Sequence, residues 1–227
     1  MAIYYAPFDA LNRSAKVVLV GITPGPTQAR NALEDVHHQL RQGASVERAL
    51  CEAKRTAAFS GDTFRTNLIA QLDDWGVHNW LGISSCSELF VSSHELVQST
   101  SLLRYPVFVG RQKYEGKTPS MLRHPLLASY LRDYFIAEVE ALHDAIFLGL
   151  GPSVSSVLNE LVRRGLVPTH RVYAGLFHGS GENTYRIKYA VGSRSSPAPW
   201  RTSVEAYDRG KAAFQAQMLR NSLSKAG

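Results

Sequence analysis

The chain has 227 residues, of which 44% are apolar and 19% are charged, and its formal net charge is +6. This composition excludes a disordered chain, and the length allows one well-buried core, so we expect a single domain over residues 1–227. The positive charge fits an anionic partner such as nucleic acid, and it fits an ordinary basic enzyme equally well.

The N-terminal residues MAIYYAPFDA lack the basic region and apolar run of a secretory signal, and no stretch has the length of a transmembrane helix. We therefore expect a cytoplasmic protein with no membrane partner. The two cysteines, Cys51 and Cys86, have neither CxxC spacing nor a paired histidine pattern around them. They are predicted to be reduced thiols, with no disulfide, no metal, no iron–sulfur cluster and no other cofactor. We also expect a monomer.

The predicted strands and helices alternate along the chain. Short apolar runs predict strands at residues 16–21, 79–84, 106–109, 145–150 and 171–176. Helical spacing predicts helices at residues 28–57 with a break near residue 43, at 62–75, within 119–143, at 153–164 and at about 203–225. This order predicts an α/β fold with three layers, α/β/α, around a mostly parallel central sheet. Ligands bind such sheets at the carboxyl ends of the strands, so the loops after residues 21, 84, 150 and 177 should carry the chemistry.

Three short segments in or near these loops are candidates for a site. GITPGP at residues 21–26 follows the first strand, but its spacing is not that of a P-loop or a dinucleotide fingerprint, and it could be only a turn. FSGD at residues 59–62 opens a helix, where a Phe is often a hydrophobic staple. HGSGEN at residues 178–183 follows the last strand. Each segment is weak by itself.

Together and in this order, the segments resemble the uracil-DNA glycosylase superfamily. GITPGP is similar to its first active-site motif, GxNPG, and closest to the form found in single-strand-selective and thermophilic-type enzymes. FSGDTFRTNLIAQL resembles the segment in which a Phe stacks on the extruded base. KTPSMLRHPLLASYLRDYFIAEVEALHDAIFLGLGPSVSSVL resembles the family's long helix, strand and next helix, and FHGSGEN lies where its second motif, HPSPxx, is found. The resemblance spans about residues 16–192 and implies a uracil-DNA glycosylase-like fold.

The resemblance also implies DNA as the partner and base flipping followed by hydrolysis of the N-glycosidic bond. By position, Phe59 would stack on the base, and His178 would donate a hydrogen bond to the departing base. The first motif would contact the base through Gly21, Ile22, Pro24, Gly25 and Gln28. The second motif and the helix after it would contact DNA through Ser180, Gly181, Asn183 and Arg186.

The sequence departs from the family pattern at the residues that activate water and read the base. Thr23 stands where the family has Asp, Asn or Glu, and a hydroxyl orients water but is a poor base. Asp62 is the first alternative, although it could equally be a helix N-cap, and further candidates are Gln28, Asn31, Glu34 and Glu88. Ser84 and Ser85 stand where the family reads the pyrimidine with Asn. Two glycines replace the prolines of the second motif, which predicts a more flexible loop.

Residues 28–57 form an insertion between the first motif and Phe59, and ordered insertions beside a site usually have a function. With the small serines, it favours a bulky modified pyrimidine, such as glucosylated hydroxymethylcytosine in phage DNA, excised as antiviral defence. The alternatives are a uracil-DNA glycosylase for repair and a catalytically inactive DNA-binding module. Basic and aromatic residues in the loops could face DNA: Arg55, Arg65, Arg111, Lys113, Lys117, Arg186, Lys188, Arg194 and Arg201, with Tyr114, Tyr185 and Trp200.

Overall fold

The computed structural model describes residues 1–192, 194 and 203–223. Its strands are β1 (Ala2–Ile3), β2 (Val17–Gly21), β3 (Val97–Ser101), β4 (Val107–Val109), β5 (Gln112–Lys113), β6 (Ile146–Leu150) and β7 (Val172–Leu176). Its α-helices are α1 (Pro26–Arg41), α2 (Val46–Ala57), α3 (Asp62–Trp75), α4 (Val77–Leu81), α5 (Pro125–Tyr130), α6 (Ala137–Ala141), α7 (Pro152–Arg163), α8 (Thr184–Val191) and α9 (Glu205–Leu223). A π-helical turn, Leu131–Ile136, connects α5 to α6.

Four parallel strands form the central sheet in the order β3-β2-β6-β7. β2 pairs with both β3 and β6, and β6 pairs with β7, all in parallel. Every residue of β2 and β6 is buried, as expected for central strands covered on both faces. The predicted α/β fold with a parallel central sheet is confirmed.

Helices pack against both faces of this sheet. Val18 and Val20 of β2 point into a core shared with α5, the π-helical turn, α6 and α7. Val17 and Leu19 point into a second core, shared with α3 and α9. The alternation of side chains along β2 therefore divides the interior into two apolar layers.

Several predicted elements are confirmed within a few residues. The helix predicted at residues 62–75 is α3, and the insertion forms the helical hairpin of α1 and α2, which packs around Ala32, Ala53 and Ala57. The predicted C-terminal helix is α9, although residues 224 and 225 lie outside the described part of the chain.

The strand predicted at residues 79–84 is wrong. Val77–Leu81 form α4, which lies between Gly76 and Gly82, both in the left-handed conformation. The second core strand is β3, whose two buried side chains, Gln98 and Thr100, are polar. Both donate hydrogen bonds to the buried carboxylate of Glu138. β3 lacks the apolar pattern of a buried strand, because these buried positions are polar and are satisfied by a residue from another element.

One other prediction needs correction. Residues 107–109 do form a strand, but β4 belongs to a separate antiparallel sheet with the order β1-β4-β5. The long helix predicted within residues 119–143 is confirmed: it begins at Pro125, ends at Ala141 and contains the π-helical turn. Among the described residues, no helix is both long enough and apolar enough to cross a membrane.

Candidate functional site

Gly21, at the end of β2, lies directly against the ring of Phe59. A Cβ atom on Gly21 would lie 3.1 Å from Phe59 Cε1 and 3.3 Å from Ser101 Oγ at the end of β3. Phe59 has a φ of +50°, a value that residues other than glycine seldom adopt. Such strain persists only where the surrounding structure imposes it, and it is common at functional sites. The structure therefore brings two predicted residues, far apart in sequence, into contact.

An aromatic contact chain connects Phe59 to His178. The rings of Phe59 and Phe64 stack with centroids 5.5 Å apart and planes 7° apart. The His178 ring meets Phe64 edge-on, with centroids 5.0 Å apart. Phe64, in the first turn of α3, was not singled out by the sequence analysis. These three residues, Phe59, Phe64 and His178, form an aromatic wall.

His178 is held in a defined orientation. The backbone N–H of Ser180 donates to His178 Nδ1 at 3.4 Å, which leaves the ring proton of the neutral form on Nε2. Burial lowers the pKa of His178, nearby Lys113 lowers it further, and Glu182 opposes the shift. A neutral imidazole with its N–H on Nε2 can donate a hydrogen bond to an oxygen that gains negative charge.

The loop that carries His178 is anchored to its neighbours, contrary to the expected flexibility. Asn67 Nδ2 donates to the Gly179 carbonyl oxygen at 3.0 Å, and Asn183 Nδ2 donates to the His178 carbonyl oxygen at 3.0 Å. A Cβ atom on Gly179 would lie 2.8 Å from the backbone oxygen of Phe64. Glycine thus serves here for close packing against α3 rather than for mobility.

Thr23 is close to the site, but its hydroxyl is engaged elsewhere. Its Oγ1 donates to the Tyr105 carbonyl oxygen at 2.8 Å and accepts from the Val107 N–H at 3.1 Å. The side chain is buried. Thr23 therefore fixes the first motif to the start of β4, and the predicted role of orienting water is not supported by these contacts.

Asp62 lies at the first residue of α3 and is exposed. The N-cap of this helix is Gly61, so the alternative role of Asp62 as the N-cap is wrong. Among the other candidates, Gln28 accepts from the Gly25 N–H at 2.9 Å, and Glu88 accepts from the Ser84 N–H at 2.8 Å. Asn31 and Glu34 are both on α1. The role of Asp62 as a base stays a prediction.

Ser84 and Ser85 do not lie at the end of a core strand. They follow α4, and Ser85 Oγ donates to Asp73 Oδ2 at 2.8 Å while capping the short 3-10 helix Cys86–Phe90. The error follows from the misplaced strand at residues 79–84. The residues that end the second core strand are the small polar Ser99, Thr100 and Ser101.

A cavity opens beside Phe59 at this edge of the sheet. Its volume is about 300 Å³ if the open mouth is included. Only about 20 Å³ of its interior is accessible to water. Its walls are Phe8, Pro24, Gln28, Lys54, Ala58, Phe59, Ser99, Thr100, Ser101 and Arg104. Ile22 is absent from these walls and lies against Gly116 instead. This cavity receives Gln28 and Lys54 from the insertion and Ala58 from the residue after it. It is called the base cavity below, after the role proposed for it in the next subsection.

Three charged residues that the sequence analysis missed meet beside the base cavity. Glu138 is buried on α6, 3.5 Å from Lys54 Nζ and 3.7 Å from Arg104 Nη2. Burial lowers the pKa of Lys54, and Glu138 opposes this shift. Lys54 lies beside the buried alanines of α2, and a lysine on an apolar helix face was a signal that could have revealed the cluster. Lys54, Arg104 and Glu138 form an ionic wall.

A larger cavity shares Lys54 and Ser99 with the base cavity. Its volume is about 1130 Å³ if the open mouth is included, and about 470 Å³ is accessible to water. Its lining is more apolar than polar, and its polar members include Asn12, Arg13, Glu52, Arg55, His94 and Glu95. This larger cavity, called the outer cavity below, therefore offers both hydrogen-bond donors and hydrogen-bond acceptors.

The predicted DNA-contacting residues lie on the His178 loop and at the start of α8. Ser180 Oγ accepts from Asn183 Nδ2 at 3.1 Å, Gly181 lies beside Thr63 of α3, and Arg186 lies over the Phe177 ring. Of the wider basic set, Arg111, Lys113, Lys117 and Lys188 are exposed, as is Tyr185.

Other members of that set are engaged within the protein. Arg55 pairs with Glu52, and Arg194 pairs with Asp208. Arg65 Nη2 donates to backbone oxygens at the end of α2. Tyr114 is buried, so its predicted place on a DNA-facing surface is wrong. Trp200 and Arg201 lie outside the described residues.

Comparison with known proteins gives one relevant similarity. The chain is 34% identical over 190 residues to the uncharacterized protein YoxB of Bacillus subtilis strain 168, and the match covers 83% of this chain and 74% of that protein. No protein-family model matches the chain, and no solved structure matches it with significant similarity.

Proposed function

The chain belongs to the family of the Bacillus subtilis protein YoxB, and from the geometry of its site we propose that it is a DNA glycosylase with a uracil-DNA glycosylase-like fold. It extrudes a modified pyrimidine and hydrolyses the N-glycosidic bond to leave an abasic site. The observation that carries this proposal is the contact chain from Gly21 through Phe59 and Phe64 to His178. It brings together, at the carboxyl edge of a parallel sheet, the three residues to which the resemblance assigns the first-motif glycine, the stacking aromatic and the second-motif histidine.

In the proposed reaction, the extruded base stacks on Phe59 and receives a hydrogen bond from His178 Nε2–H. The bond between C1′ and the base nitrogen breaks, and its electron pair leaves with the base. The water oxygen then bonds to C1′, and a proton from that water ends on the departing base. A donor aimed at developing negative charge typically contributes about 10²–10³ in rate.

Among the described residues, those that line the base cavity include no carboxylate. Since Thr23 is committed to backbone partners, the proposed mechanism depends mainly on stabilising the leaving base. Gln28 lines the cavity with its Oε1 held by the Gly25 N–H, so its amide nitrogen is positioned to contact the base or the water.

The outer cavity supports the proposal that the substrate base carries a bulky substituent, such as the hydroxymethyl or glucosyl group of a phage cytosine. Its shared walls, Lys54 and Ser99, mark where a substituent would leave the base cavity. A sugar is recognised through hydroxyl groups, and the polar side chains of the outer cavity, such as Asn12, Glu52 and Glu95, offer donors and acceptors for them. The base cavity itself has room for about one water, so the proposal requires Phe59 and its loop to move apart when a base binds.

The narrow base cavity favours a second candidate, a uracil-DNA glycosylase for repair, because uracil is smaller. A third candidate is an inactive DNA-binding module. It is favoured because the Thr23 hydroxyl is already hydrogen-bonded to two backbone groups and is not available to orient water. The test is incubation of the protein with oligonucleotides carrying uracil or modified cytosines, followed by mass spectrometry of any free base. Release of a modified cytosine supports the proposal, release of uracil alone supports the repair enzyme, and DNA binding without release supports the binding module.

A further inference from the structure

Three potential metal ligands meet at the C-terminal end of α3, away from the base cavity. We propose that Asp73, His78 and Cys86 form a binding site for a divalent transition-metal cation of the zinc class. Their ligand atoms, one carboxylate oxygen, one imidazole nitrogen and one thiol sulfur, all lie within 4.8 Å of one another. Zn²⁺ binds these three atom types with bonds of about 2.0–2.3 Å, so small side-chain rotations would close the site.

The local fold brings these residues together, although their spacing in the sequence matches no metal-binding motif. Asp73 is in the last turn of α3, His78 is in α4, and Cys86 begins the 3-10 helix that follows. Gly76, with a φ of +84°, makes the turn between α3 and α4 that returns His78 toward Asp73. This inference therefore revises, for Cys86, the expectation that neither cysteine binds metal.

The strongest sign of a missing partner is on His78. Its Nδ1 atom is buried and has no hydrogen-bond partner among the described residues. This atom lies 3.4 Å from Asp73 Oδ1. A buried polar atom without a partner is costly, and a metal ion between imidazole and carboxylate would satisfy it.

The carboxylate of Asp73 is already oriented by its neighbours. Ser85 Oγ donates to one oxygen at 2.8 Å, and the Cys86 N–H donates to the other at 2.7 Å. Such outer contacts fix the direction of a metal ligand and make binding tighter. His78 and Asp73 keep 22% and 30% of their side chains exposed, which gives an ion a route to the site.

Binding must remove the proton of Cys86. Burial raises the pKa of this thiol, and its hydrogen bond to Asp73 raises it further, whereas a hydrogen bond from the His78 backbone favours the thiolate. The cation replaces the thiol proton, forming one metal–sulfur bond and releasing one H⁺.

The site would act as a structural clamp on the segment between α3 and the 3-10 helix. Asp62 and Asp73 are eleven residues apart on α3, which corresponds to about 16 Å along the helix axis. The cation would thus be remote from the base cavity, and the inference does not depend on glycosylase activity.

Cobalt(II) binding to the full chain tests this site, because thiolate coordination to cobalt gives a characteristic near-ultraviolet absorption. We expect one equivalent of Co²⁺ to give this band in the wild-type protein and Zn²⁺ to abolish it by displacement. Cys86→Ser should remove the band. Cys51→Ser is the matched control and should keep it, since Cys51 is exposed and outside the cluster.

His78→Ala is the second variant, because the buried Cys86 substitution could impair folding. It should keep the wild-type circular dichroism spectrum and weaken Co²⁺ binding by at least about tenfold. Absence of the band in the wild type would overturn the proposal, as would a band that survives Cys86→Ser but disappears in Cys51→Ser. Unchanged affinity in His78→Ala would overturn it as well.

Discussion

The aromatic wall and the ionic wall meet at the base cavity, which is lined by Phe59 from the first and by Lys54 and Arg104 from the second. They differ in how His178 and Glu138, their central polar groups, are partnered. Ring contacts hold the aromatic wall together and keep Phe59 in a strained backbone conformation, and the Nε2–H of His178 has no hydrogen-bond partner among the described residues. In the ionic wall, Glu138 contacts both cations as well as Gln98 and Thr100.

This difference indicates a division of tasks. A donor without an internal partner can bind a substrate atom, whereas a buried carboxylate that contacts four neighbouring side chains mainly fixes the elements around it. Glu138 joins α6 to β3, and through Lys54 it joins both to α2. We therefore expect changes in the ionic wall to affect stability first and changes in the aromatic wall to affect chemistry first.

The largest expected effect is on stability, in Glu138→Gln. This change leaves Lys54 and Arg104 facing each other without their shared carboxylate, and breaking a buried ion pair typically costs about 3–5 kcal/mol. Chemical denaturation of the variant measures the loss. Glu140→Gln is the control, because Glu140 is exposed two residues further along α6. Equal stability of the two variants would show that the ionic wall carries no structural role.

His178→Ala should slow base release by about 10²–10³ while leaving the unfolding free energy nearly unchanged, since the proposed role of His178 is donation to the leaving base. Single-turnover rates on the best substrate measure the effect. His143→Ala is a matched control with a highly exposed side chain. Base release by His178→Ala at a rate close to that of His143→Ala would remove His178 from the mechanism.

The two walls also differ in how far the sequence reveals them. Phe59 and His178 belong to short segments whose residues are close together in the chain, so a resemblance could identify them. The ionic wall draws on α2, the segment after β3, and α6, and only the folded chain brings these together. For the same reason β3 could not be predicted from its own residues. Its buried Gln98 and Thr100 are tolerated in a strand interior because Glu138, from a distant element, accepts their hydrogen bonds.

Other parts of the fold were predictable because their signals are local. The apolar runs of β2 and β6 are buried on both faces, and the helical spacing of α3 gives its bounds directly. Local signals also misled: residues 79–84 look apolar enough for a strand, but Gly76 and Gly82 make the intervening residues a short helix. Ser84 and Ser85 were assigned to the site through that error.

Ser99→Leu should sharpen the comparison by adding bulk to a wall that the two cavities share. The change should slow release of a glucosylated base by about 10- to 100-fold, because overpacking a closed site costs about 1–3 kcal/mol. Release of a small base should change much less. Ser84→Leu is the control, since Ser84 is exposed and lines neither cavity. Parallel single-turnover assays would measure both variants, and equal slowing of large and small bases by Ser99→Leu would contradict the shared-wall interpretation.

The smallest expected effect is on pH dependence. Because the pKa of His178 is lowered, base release should persist below the ordinary histidine value of about 6.5 and fall only at more acid pH. Lys113→Gln removes one cause of the lowering, so the acid limb of the rate profile should move to higher pH. Lys117→Gln, in the same exposed segment, should leave it in place. The rate–pH profile of each variant is the measurement, and identical profiles would exclude the coupling between Lys113 and His178.

The same lowered pKa also affects stability. The unfolded chain takes up a proton at His178 more readily than the folded chain does, so this residue lowers stability as pH falls through about 6.5 toward its folded pKa. Above that range its contribution vanishes. A small loss of stability in acid that is absent in His178→Ala would accompany the kinetic effect.

The most direct test of the central claim is the single-turnover rate of base release from matched oligonucleotides that contain uracil, hydroxymethylcytosine or glucosylated hydroxymethylcytosine. The two-cavity site predicts measurable release of the modified cytosines, faster than release of uracil, with the abasic strand formed in equal amount. Rapid release of uracil with none from either modified cytosine would contradict the proposed substrate. No release from any of the three would contradict the proposed chemistry at His178.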